Sequence, residues 1–487
     1  MVAAVACAAC AGGVQTHDAG ADGTADTRAN DAAPLDGPSE AGFDSSVDDL
    51  VDAAPDDATT GDATSDSAVD AGPSLPTPIR YVVVIVKENH TFDNLFYDFP
   101  GVASRPPRNA TLSDGSSLDV SGLVAPFAIF PYGGLDHSHA RARRVFHGGA
   151  MDRFDQAADG SNLPAHGSFY HYPEAQVRNY WQYARHFVLC DNFFSTTLAP
   201  SSPGHIAISA AQSIAYGNTD CPAGGTCERV EACDPTNDAT MPRFDPDTCE
   251  TSTGSECFTT GNVIDNLPSW LTWRTYGNTP LSHFQSLYAS RALHSSAHSR
   301  MLGLLIDDLA RGDQANLTLL DISSGPGGIS EHPDNHPCAG ESHTVQIINA
   351  IMNGPHWNET AIVVTYDDWG GWYDHVAPRV AACPAPNAGE AFNPGFRLPA
   401  MVISPYSRRG DTTENLVFHT RVEQASVTKF IEELLHDASQ PVHFLEDDHP
   451  RARDRRVNSL MGTLDFTQPP RAPMMLTPRT DCPPPAP

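Results

Sequence analysis

The sequence predicts an α/β fold, a three-layer sandwich with a mostly parallel central sheet. Three observations predict it. Short, unbroken β-branched and aliphatic runs recur along the chain, as strands buried on both faces require. Longer segments with apolar residues at helical spacing lie between them. Polar residues follow the runs directly, at the strand ends where α/β sheets bind ligands.

The first run, "PIRYVVVIV" at 78–86, predicts the leading strand. Further strands are predicted for "NLTLLDI" at 316–322, "TAIVVTYDD" at 360–368 and "LPAMVISP" at 398–405. Helices are predicted to start at Pro173 ("PEAQVRNYWQYARHF"), His298 ("HSRMLGLLIDDLARG"), Glu341 ("ESHTVQIINAIMNG") and His419 ("HTRVEQASVTKFIEELLHD"). Beyond Asp437 the chain turns Pro- and Arg-rich, which predicts an irregular tail wrapped around the domain.

Composition divides the 487 residues. Residues 1–17 form a short apolar leader containing Cys7 and Cys10. It is similar to a bacterial lipoprotein signal, although the basic n-region is missing. Residues 18–76 are mainly Asp, Ala, Gly, Thr, Ser and Pro, with Phe43 the only aromatic. So little apolar surface does not offset the entropy of ordering, and the segment reads as a disordered acidic linker. Residues 77–487 are then the folded part. The net charge of −31 excludes nucleic acid as a partner, because phosphate backbones call for Lys and Arg. No apolar run is long enough to span a membrane, which leaves a lipid anchor at Cys7 or Cys10 as the membrane contact. Five of the eleven cysteines (Cys221, Cys227, Cys233, Cys249, Cys257) crowd into an insert at 216–261 with no Cys-x-x-Cys pair. Disulfides in an oxidising compartment are therefore expected over a zinc site. The protein is expected to be exported: periplasmic, an outer-surface lipoprotein, or secreted.

Four constellations carry chemistry. Glu88 and Asn89 follow the first strand in "VIVKENHTFDNLF"; alone they read as a turn. Asp367 and Asp368 end a buried strand in "VVTYDDWGGWYDHV", where adjacent carboxylates need a cation or hydrogen bonds. Gly370 and Gly371 permit the break that would let both acids face one point. Ser201 and Ser202 sit between Pro200 and Pro203 at the start of a helix, a place that suits a phosphate, although taken alone they read as a plain helix cap. His137, His139, His332, His375 and His419 fall in Gly-, Pro- and Asp-rich loops, where several could converge.

The segments "YVVVIVKENHTFDNLF", "DHSH", "PSSPGH", "EHPDNHP", "TYDDWGGWYDHVAP" and "FRLPAMVISPYSRRG", in this order, resemble the phosphoesterase family of bacterial phospholipases C and related acid phosphatases. The match runs from Tyr81 to Phe430. The resemblance implies an alkaline-phosphatase-like fold. It implies a divalent metal (Ca, Mg, Mn or Zn) held by Glu88, Asn89, Asp367 and Asp368, with Ser201 as nucleophile through a phosphoseryl intermediate. His332 and His137 would face the phosphoryl group, with His139, His375 and Ser202 as weaker candidates. The expected substrate is a phosphate ester, acid-phosphatase-like; the alternatives are phospholipid head groups and a binding lipoprotein that has lost catalysis. Asp368 and Trp369 stand where Glu and a variable residue are common, and Glu423 replaces an Asp usual after "HT". No carboxy-terminal β domain of the phospholipase kind follows, which favours a soluble substrate.

Overall fold

Seven residues of β-branched and aliphatic character make β1 (Tyr81–Lys87) the centre of an eight-stranded sheet. The other strands are β2 (Val188–Cys190), β3 (Trp273–Gly277), β4 (Ser299–Met301), β5 (Leu317–Ile322), β6 (Thr360–Tyr366), β7 (Ala400–Ile403) and β8 (Val417–Phe418). Their order across the sheet is β8-β2-β7-β6-β1-β5-β3-β4. β7 alone runs against its neighbours, antiparallel to β6 and β2; every other pairing is parallel. The computed structural model describes residues 73–126, 135–157, 166–212, 240–244, 251–255, 261–278, 284, 297–323, 328–333, 335–379, 394–412, 416–449 and 451–484. The leader, Cys7, Cys10, nearly all of the acidic segment and the five cysteines of the insert lie outside them.

Alternation along β1 builds the layers. Val83 and Ile85 join one core with Tyr180 and Trp181 of α3 (Arg178–His186) and Val345, Ile348 and Ile351 of α6 (Pro337–Asn353). Val82, Val84 and Val86 join the other, with Ile208 of α4 (Ser201–Ala210) and Val427, Phe430 and Ile431 of α7 (Ala425–Leu434). Successive side chains of a strand point to opposite faces, so one apolar run feeds both cores. The three layers follow. Shorter helices are α1 (Phe92–Phe96), α2 (His139–Phe146), α5 (Leu305–Ala310) and α8 (Leu445–Asp448).

Several boundaries differ from expectation, each for a local reason. The helix expected from His298 starts at Leu305, because Ser299–Met301 pair with Thr275–Gly277 at the sheet edge. The helix expected from His419 starts at Ala425, because Val417–Phe418 and Val422–Glu423 form strand pairs. The one expected from Glu341 starts earlier, at Pro337, where His336 accepts from the Cys338 N–H and proline suits the first turn. From Pro173, a 3-10 turn (Glu174–Gln176) precedes α3. Within the cysteine-bearing segment, Thr240–Phe244 pairs antiparallel with Thr251–Ser255. The tail is stapled to the first turn of α6 by a Cys338–Cys482 disulfide. Among the described residues no helix is long and apolar enough to cross a membrane.

Candidate functional site

β1, β5 and β6 end side by side, with Lys87 paired to Ile322 on one side and Tyr366 on the other. Glu88-Asn89 and Asp367-Asp368 therefore leave neighbouring strands together. All four are buried, at no more than 3% exposure. Close backbone approach holds them there. A Cβ on Gly370, whose φ is +62°, would sit 2.1 Å from the Asn89 carbonyl oxygen, so the two turns pack back to back. A Cβ on Gly204 would sit 2.1 Å from the Asp367 carbonyl oxygen, which lets the first turn of α4 rest against the acids. From α7's entry, Gln424 Nε2 donates to the carbonyls of Tyr366 (3.2 Å) and Asp367 (2.5 Å), while its Oε1 accepts from the Thr196 N–H (3.0 Å).

Ser201 opens α4, and the cap residue is Pro200. The Ser201 hydroxyl donates to Asp368 Oδ2 (3.2 Å) and accepts from Asn89 Nδ2 (3.3 Å), so it faces the acids rather than the helix backbone. Asn89 Nδ2 also donates to Asp367 Oδ1 at 2.8 Å. Asn89 Oδ1 and Asp367 Oδ2 are buried acceptors with no hydrogen-bond donor among the described residues. Burial, and then the charges of Asp367, Asp368 and Asp321, lift the Glu88 carboxyl well above its ordinary range. Burial and Asp367 do the same to Asp368. Mutually repelling carboxylates with orphaned oxygens are the donor set a hard cation neutralises.

His137 and His332 also come together, their rings edge to face with centroids 5.3 Å apart. His137 Nδ1–H donates to the Leu135 carbonyl (2.8 Å), so the lone pair of the neutral ring is on Nε2. Burial, followed by His332, holds the His137 pKa down, with Asp367 pulling the other way. Carboxylates leaving neighbouring strand ends and the Ser201 hydroxyl at a helix start thus come together, while His137 and His332 face each other from loops; such a donor set can take a cation and an anionic ester.

A model described as the phosphoesterase family matches residues 79–436. The chain belongs to that family. It is a hydrolase acting on phosphoric ester bonds. Among curated relatives, non-specific phospholipase C6 of Arabidopsis thaliana is 24% identical, covering 84% of this chain and 74% of its own. Phospholipase C B of Mycobacterium tuberculosis is 23% identical, over 81% and 79%. Non-hemolytic phospholipase C of Pseudomonas aeruginosa is also 23% identical, over 73% of this chain and 54% of its own. A solved Vibrio parahaemolyticus protein in the alkaline phosphatase superfamily shares 12% identity at a TM-score of 0.28, over 54% of this chain and 64% of that one.

Other candidates of this phosphoesterase lie around the cluster or apart from it. Ser202 is buried in the first turn of α4. His139 Nδ1 contacts the Leu198 carbonyl at 2.5 Å, in the segment leading to Ser201. His375 belongs to a different group, with Asp93 and Asp374, whose ligand atoms lie within 4.8 Å of one another. Arg397 already fills that group: Nη2 meets Asp93 Oδ1 at 2.7 Å and Nε meets Asp374 at 3.2 Å, and His375 Nδ1 meets Asp93 at 2.6 Å. Burial lifts the Asp374 carboxyl to about 6 against the pull of Arg397. A guanidinium in place makes this a structural ion cluster that ties α1 to the turn after Gly371.

The sequence reading missed four neighbours. Asp321, within β5, pairs with Val86 and adds a further buried carboxylate. His205 stands between it and the site, Nε2 3.5 Å from Asp321 and Nδ1 3.9 Å from Asp367. Lys87 and Glu331 form a fully buried pair at 3.3 Å; Tyr180 and Tyr366 hydroxyls also donate to Glu331, at 2.6 and 2.7 Å. Glu331 has a φ of 70° and directly precedes His332, so this pair anchors the loop that presents the imidazole.

Proposed function

We propose that the protein is a metal-dependent phosphoesterase that hydrolyses phosphate esters through a phosphoseryl intermediate on Ser201, in the manner of an acid phosphatase. The single observation that supports it best is the Ser201 hydroxyl, bonded to Asp368 and Asn89 at the N-terminal end of α4 instead of capping the helix. Glu88, Asn89, Asp367 and Asp368 would hold the ion; their oxygens suit Ca, Mg, Mn or Zn. The ion would supply Lewis acidity toward the phosphoryl oxygens and favour the ionised serine. Asp368 takes the hydrogen bond of the Ser201 hydroxyl and so aims its oxygen. The N–H groups of α4 face the phosphoryl oxygens, which the helix dipole also favours. His137 and His332 contact those oxygens or protonate the leaving alcohol.

The second reading, phospholipase C, is supported by the names of the relatives, which span most of this chain. Export is supported by the Cys338–Cys482 disulfide, since such bonds persist in oxidising compartments. Tethering would run through Cys7 or Cys10, followed by the 18–76 linker and the 77–487 catalytic part. Turnover of p-nitrophenyl phosphate and of phosphatidylcholine by wild type and Ser201→Ala tests the reading. Ser201→Ala should lose both activities. Near-wild-type turnover would transfer the nucleophile to Ser202. Asp367→Asn should lower bound metal by elemental analysis, and unchanged metal content would remove it from the ligand set. A wild-type protein inactive on both esters with every candidate metal would leave the binding-lipoprotein reading.

A further inference from the structure

A cavity of about 450 Å³ is bounded by His186, Arg409, Arg471, Ala472, Pro473 and Met474. It lies at the end of the sheet away from the acids. β7 runs antiparallel to β6, with Ala400 opposite Thr365 and Ile403 opposite Ile362, so the residues after β7 emerge where β6 begins. His186 precedes β2, whose Val188 pairs with Val402 near that same end. Two guanidiniums and an imidazole line the cavity, and among the described residues no carboxylate does.

The hydrogen bonds of these groups go to neutral oxygens. Arg471 donates to the carbonyls of Ser407 (3.2 Å), His186 (2.7 Å) and Arg408 (2.7 Å), and Arg409 to that of Pro469 (3.0 Å). These bonds aim the guanidiniums without cancelling their charge. The C-terminus of α3 offers Arg471 roughly half a negative charge through the His186 carbonyl. Arg409 receives none, and among the described residues neither arginine has a carboxylate partner. The cations oppose one another: burial and then Arg409 lower the Arg471 pKa, while burial, Arg471 and Arg409 lower that of His186. In a chain of net charge −31, such a concentration of unneutralised positive charge marks an anion site.

We propose that this cavity is a second anion site, separate from the catalytic centre, for a phosphate-type dianion carried by a small molecule or a lipid head group. Planar guanidinium forks match phosphate oxygens two at a time, and His186 adds a donor. Pro473 and Met474 offer an apolar wall to whatever carries the phosphate.

Equilibrium dialysis of the full chain with radiolabelled inorganic phosphate is the test, run on wild type, Arg409→Glu and His186→Gln. Co-sedimentation with phosphatidylcholine vesicles, with and without phosphatidic acid, forms the second arm. Wild type should bind one phosphate more than Arg409→Glu, and His186→Gln should weaken that site. Reversing one charge should cost at least about tenfold in affinity. p-Nitrophenyl phosphate turnover and melting temperature should stay at wild-type values. Phosphate binding that ignores both substitutions, with phosphatidic acid binding that needs both residues, assigns the site to a lipid head group. If neither phosphate nor phosphatidic acid binding depends on Arg409 and His186, the proposal is overturned.

Discussion

Gly204→Ala tests the architecture of the site without touching a reactive group. The added methyl carbon would lie 2.1 Å from the Asp367 carbonyl oxygen, 2.8 Å from its carbon and 3.0 Å from Gln424 Nε2. Two of these are backbone atoms at the end of a fully buried strand, so they cannot swing aside. Ordinary contact requires α4 to retreat by roughly 1 Å or more. Overpacking of this kind costs about 1–3 kcal/mol. Alanine's better helix propensity returns about 1 kcal/mol of that, so the fold should survive. The rate should suffer far more. A shift of about 1 Å between Ser201 and the acids corresponds to a loss on the order of 100-fold. Turnover of p-nitrophenyl phosphate beside thermal unfolding reads both quantities. A variant with wild-type turnover and an unchanged melting temperature would refute the close approach of α4 to Asp367.

Glu432, buried in α7, is lifted to about 9 by burial and then by Asp454. A folded pKa above the unfolded value means the native state keeps its proton longer, so stability falls as pH rises from 4.5 through about 9. Glu432→Gln keeps an oxygen for the Leu445 N–H and removes the ionisation, so melting temperature should decline less across that window; an identical slope counts against it. Lys87→Met strands the buried Glu331 carboxylate and should destabilise by about 3–5 kcal/mol in a denaturant melt, with a double variant Lys87→Met/Glu331→Leu recovering most of it. A loss below about 1 kcal/mol would show the pair to be dispensable. Opening the Cys338–Cys482 bond, which spans a separation of 144 residues, should cost up to roughly 5 kcal/mol, read as a lower melting temperature in reductant. No shift would mean that the bond contributes nothing to the folded state.

The long apolar runs were legible because a strand covered on both faces must be mostly apolar, as β1, β5, β6 and β7 are. Val188–Cys190 is too short to show a period, and "WRTYG" at Trp273–Gly277 is half polar because it lies near the sheet edge. Both escaped a reading based on runs. Glu88, Asn89, Asp367, Asp368 and Ser201 stood out through motifs, and the structure places them together. Asp321 did not: one acid in a leucine run acquires meaning only from its register with Val86. His205, Lys87 and Glu331 are also products of tertiary contact, since each partner is remote in sequence.

The position of β1 has a consequence for how the protein is made. It is the first strand of the sheet in sequence and the central one in space, and its partners are Leu317–Ile322 and Thr360–Tyr366. During synthesis "YVVVIV" therefore emerges long before either neighbour exists. Pairings so distant in sequence form slowly, and an unpaired strand of this composition invites association with other chains. The same wait governs the clustered acids, because Glu88 meets Asp367 only when β6 docks. The cluster therefore assembles only after β6 has docked, and until that moment β1 is open to association with other chains.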